Sequence, residues 1–85
     1  MNKTVPQTEQ KTREMCDLIV SRAAEMMSTE AGAPVEMIMD RFVTYVAAQT
    51  VATFGKQEAL NMLRHAAKTV EQGAFDHLDP ARSVN

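Results

Sequence analysis

The sequence predicts an all-α fold, built as a small three-helix unit: a helical hairpin plus a third helix, paired into a dimeric helical bundle. Three observations carry this. The apolar residues are rich in Ala and Met, which favour helices, while the β-branched and aromatic types that sheets prefer are few or scattered at helical spacings. There are seven methionines, four leucines and no tryptophan, and the eight valines fall among helical rows. Glycine and proline gather at a few joints, and the segments between them repeat their apolar residues with a helical period.

The first segment is expected from about Glu9 to Thr29. Met15, Ile19, Ala23 and Met26 form one row, and Cys16, Val20, Ala23 and Met27 form its neighbour. Glu14, Asp17, Ser21, Glu25 and Ser28 take the opposite side, an amphipathic pattern. Thr4-Val5-Pro6-Gln7 resembles a capping box, which would start the helix one turn earlier. Residues 1–8 are expected to fray as a flexible N-terminus.

Ala31-Gly32-Ala33-Pro34 reads as one helix ending and another beginning, because Gly suits the C′ position and Pro the first helical turn. So short a joint favours antiparallel neighbours. The second segment then runs from Pro34 to about Phe54. At 100° per residue Val35, Ile38, Phe42, Tyr45 and Val46 share one face, and Val43, Ala47, Val51 and Phe54 lie nearly opposite. Its charges, Glu36, Asp40 and Arg41, all lie in the first two turns. The fourteen residues from Phe42 to Gly55 carry none, in a chain that is 24% charged. A helix apolar all round is normally buried all round.

Gly55 alone separates this segment from the third, which runs from Lys56 to about Gln72. A single glycine permits either a sharp turn or a bent, nearly continuous helix. Ala59, Leu60, Leu63, Ala66, Ala67 and Val70 make the apolar stripe, with Met62 at its edge. Asn61, Arg64, His65, Lys68 and Glu71 face water. Gly73 stops the helix, Phe75 and Leu78 are available to fold back, and Pro80 ends the ordered part. Residues 9–79 thus form a single helical domain, and residues 80–85 a tail.

Eighty-five residues support one thin core, which at this size often needs a staple or a partner. Cys16 is the only cysteine, so no disulfide forms within one chain. The lone thiol, and an N-terminal stretch without an apolar signal region, point to a reducing cytoplasm. No run is long and apolar enough for a membrane span. The net charge of −2 gives no general attraction to nucleic acid.

The neutral stretch bears on what kind of molecule this is, not on its biological task. The first and third helices each offer one apolar stripe, which leaves Val43, Ala47, Val51 and Phe54 without cover. Exposed contiguous apolar rows mark interaction sites. The simplest cover is a second copy on a two-fold axis, with small residues at 47, 48 and 52 allowing close approach. The alternative cover is Phe75 and Leu78 of the same chain. The chain is therefore expected to be a non-enzymatic homodimeric interaction module acting on a further protein partner. A nucleic-acid regulator using Lys56, Arg64 and Lys68 is the alternative, weakened by Glu58 and Glu71 on the same helix and by an N-terminal end lacking base-reading residues.

No catalytic motif occurs, and no cofactor or metal is expected. Cys16, flanked by Glu14 and Asp17, is expected as a small core residue rather than a reactive thiol. His65 is expected in solvent. His77 lies near Asp76 and Asp79, but structural zinc normally takes four N or S ligands, which this spacing does not supply. Met26, Met27, Met37 and Met39 would gather at one end of an antiparallel hairpin, most simply as gap-fillers.

Overall fold

The computed structural model describes residues 4–81, with side chains from Thr8 onward. Among these residues there are three α-helices and no strand: α1 Thr4–Thr29, α2 Val35–Phe54 and α3 Lys56–Glu71, followed by a single 3-10 turn, Asp76–Leu78. α1 therefore begins at Thr4, as the capping-box pattern allows, and not at Glu9. The expected fraying of residues 1–3 and the end of the tail, residues 82–85, lie outside the described residues.

The chain divides into two units, Met1–Phe42 and Val43–Asn85. In the first, α1 ends where Gly32 takes φ 67°, and the Ala33 amide donates to the Met27 carbonyl at 3.0 Å. Pro34 then opens α2: its carbonyl accepts the Ile38 amide at 3.0 Å. Glu36 lies in the first turn, where a carboxylate favours the helix dipole. Among the described residues of this unit only Ile38 is buried, and Ala23, Ala24, Met27, Ala33 and Phe42 are half-buried. Every described residue of α1 from Thr8 to Arg22 is exposed.

The second unit holds the remainder of α2, then α3. Gly55 breaks the backbone at φ 96°, ψ 167°, a conformation essentially confined to glycine. It also serves both helices, since its amide donates to the Val51 carbonyl at 2.9 Å and its carbonyl accepts the Ala59 amide at 3.1 Å. The joint is a sharp turn, not a bent, nearly continuous helix. Thr50 Oγ1 meets Met62 Sδ at 3.8 Å, although twelve residues of straight helix would separate them by about 18 Å. Ala59 is buried, and Ala47, Thr50, Leu60, Leu63 and Thr69 are half-buried. Gly73, at φ 92°, ends the helical path, and a Cβ there would stand 2.8 Å from Asp76 Oδ2.

Several packing expectations are corrected. Cys16 is exposed, as is every other residue of α1 from Thr8 to Arg22, so neither apolar row is covered over that length. Ala66, Ala67 and Val70 are exposed, so only the N-terminal half of the α3 stripe is covered. On α2, Val35, Tyr45 and Val46 are exposed although they share a face with buried Ile38. Met26, Met37 and Met39 are also exposed and fill no gap, while Met27 is half-buried.

Candidate interaction surface

Among the described residues only Ile38 and Ala59 are buried. A folded chain must offset roughly 1–2 kcal/mol of backbone entropy per ordered residue, largely by burying apolar surface. Two small centres are far less than such a chain requires. The surface is correspondingly rich in large apolar side chains, on α2 above all Val35, Val43, Tyr45 and Phe54.

Val43 is 59% exposed, Val51 47% and Phe54 70%. Ala47 between them is half-buried. Val43, Thr44, Ala47, Ala48 and Val51 line a shallow, open, mainly apolar groove. The geometry follows from sequence. Residues 43, 47, 51 and 54 recur every three or four positions and so form one row. Alanine at 47 and 48 lowers the middle, which lets Val43 and Val51 stand as walls. The C-terminal segment does not close over this row: Phe75 is 51% and Leu78 68% exposed.

The basic residues of α3 are arranged differently. Lys56, Arg64 and Lys68 are all exposed. Arg64 and Lys68 border a surface depression with Asn61, His65, Ala67 and Glu71, so an acid shares the patch. Lys56 lies two turns away, about 80° around the helix from Arg64. At the N-terminal end of α3 the polar side chains bond to one another. Gln57 Nε2 donates to Asn61 Oδ1 at 3.2 Å, and Asn61 Nδ2 donates to Glu58 Oε1 at 3.0 Å.

His65 and His77 are exposed. Among the described residues, no three His, Cys, Asp or Glu side chains gather as metal ligands would. None of the described helices is long and apolar enough to cross a membrane. The ion pair formed by Asp40 and Arg41, 3.0 Å apart, links neighbours in sequence on the α2 surface and has no site geometry.

The exposed side of α1 is a feature that the periodic pattern does not separate out. Met15, Leu18, Ile19 and Val20 are all in solvent. Leu18 belongs to neither row, and a leucine among Glu14, Ser21 and Glu25 in a chain with four leucines is a signal in itself.

Comparison with protein-family models, with curated proteins and with solved structures finds no match to this chain.

Proposed function

We propose that the protein is a non-enzymatic interaction module that works as a homodimer in the cytoplasm, pairing through Val43, Ala47, Val51 and Phe54 of α2 and presenting the joint surface to a protein partner. The observation that carries this is the exposed apolar groove on the uncharged half of α2. Covering Val43, Val51 and Phe54 contributes roughly 3–5 kcal/mol per chain, given their present exposure. That is a large share of a typical domain stability of about 5–15 kcal/mol. A two-fold arrangement places the same row of both copies face to face, and the small residues at 47 and 48 let the backbones approach.

Ala47→Glu tests it. A carboxylate in the centre of the groove meets its own symmetry mate and the walls of Val43 and Val51. The variant is expected to assemble at least tenfold more weakly, read from mass against concentration by light scattering. A curve that coincides with that of the unsubstituted protein removes α2 from the interface.

A further inference from the structure

Leu18 lies at the centre of a charge pattern on α1. Seven residues before it stands Lys11, and seven after it Glu25; four before it stands Glu14, and four after it Arg22. Each pair is opposite in sign. At 100° per residue these five side chains fall in one strip about 80° wide. Met15, Ile19 and Met26 border the strip on one side, and all are exposed. The strip is distinct from the face that carries half-buried Ala24 and Met27, roughly 120° or more around the helix from Leu18.

Intrahelical pairing does not use these charges. Lys11 with Glu14, and Arg22 with Glu25, are three residues apart and within reach of each other. Yet among the described residues Lys11, Arg22 and Glu25 form no side-chain ion pair, and Glu14 accepts from Gln10 Nε2 at 3.1 Å.

A strip whose charges invert through a central point is complementary to itself when one copy runs antiparallel to the other. We infer that α1 is a second interface with another copy of this chain, antiparallel and centred on Leu18. The two-fold axis sets residue 18+n against residue 18−n. Leu18 meets its own mate, each Lys11 faces the partner's Glu25, and each Glu14 faces the partner's Arg22. Four ion pairs thus flank one apolar centre, and Met15 and Ile19 of both copies extend the apolar contact along one edge. A parallel pairing would set like charges together at every one of these positions. This contact is independent of the α2 groove, and a chain that has both assembles through two different surfaces.

The test is a charge exchange, made in the unsubstituted chain and again with Ala47→Glu, so that loss of the α2 contact and loss of the α1 contact read separately. Lys11→Glu alone turns two attractive pairs into two repulsive ones. Association is expected to weaken about 10- to 30-fold in sedimentation equilibrium, at the scale of rim and helix-surface pairs. Glu25→Lys alone should weaken it similarly. The double variant Lys11→Glu/Glu25→Lys should restore it, because the interchain pairs reform with signs exchanged. Within one helix the double variant instead makes two repulsive i, i+3 pairs. A double variant as weak as the singles, or singles without effect, overturns the inference. A cross-linking experiment covers the case in which a charge variant loses helix content. With Cys16→Ala, Leu18→Cys should be joined rapidly between chains by a short bis-maleimide, and Ser21→Cys much more slowly. Equal rates at the two positions also overturn the antiparallel register.

Discussion

Thr50 Oγ1 donates to the Val46 carbonyl at 2.7 Å and sits 3.8 Å from the sulfur of Met62. The first contact is a local one along α2. The second joins α2 to α3 across the Gly55 turn. A thioether is a weak acceptor, so this contact marks where the helices meet more than it holds them there. The holding falls to Ala59, the one buried residue among those described in the second unit, and to half-buried Leu60 and Leu63.

Ala59→Asp should therefore loosen the packing of α3 on α2. An unpaired carboxylate at a position only 4% exposed is expected to cost about 2–4 kcal/mol. Chemical denaturation followed by circular dichroism measures it. An unchanged midpoint would show that α3 does not pack through Ala59.

Gly55→Ala tests the turn itself. A Cβ there meets nothing within 4 Å, so the cost is one of backbone conformation alone. Forcing an L-residue into φ 96°, ψ 167° is expected to destabilise the chain by about 1–3 kcal/mol. D-alanine, introduced by chemical synthesis, should be tolerated, since this conformation is the mirror image of ordinary extended backbone. Equal stability of the two alanine variants would contradict the turn geometry.

Ile38 and Val35 make a matched pair on the first turn of α2. Ile38 is 4% exposed and Val35 68%. Ile38→Ala is expected to cost about 2–4 kcal/mol through lost burial and the cavity left behind, and Val35→Ala less than about 0.5 kcal/mol. Thermal melts of the two variants measure the difference. A large effect at Val35 would mean that this face is covered in the assembled protein.

The sequence makes the helices legible because their boundaries rest on local chemistry. Gly32, Pro34, Gly55 and Gly73 act within a turn of where they stand. Phe54 and Lys56 are helix ends both in the periodic pattern and in the structure. What periodicity does not contain is which apolar stripe has a neighbour. Ile19 and Ile38 look equally buried on a helical wheel, yet one is exposed and the other is not, because among the described residues of α1 only Ala23, Ala24 and Met27 are covered. Cys16 is exposed for the same reason. Gly55 leaves two paths open in sequence, and the contact of Thr50 with Met62 selects the sharp turn. The row Val43, Ala47, Val51 and Phe54 was readable because its signal is an absence of charge over fourteen residues, which needs no knowledge of packing.

The central claim is that copies of this chain supply the cover that one chain lacks. It implies that folding and association are linked, so apparent stability depends on protein concentration. The most direct test is dilution, with mass from light scattering and helix content from circular dichroism read on the same samples. The account predicts a mass of at least twice the 9.4 kDa chain at high concentration, and helix content that falls together with the mass on dilution. A fully helical 9.4 kDa species, melting at a temperature independent of concentration, would contradict it.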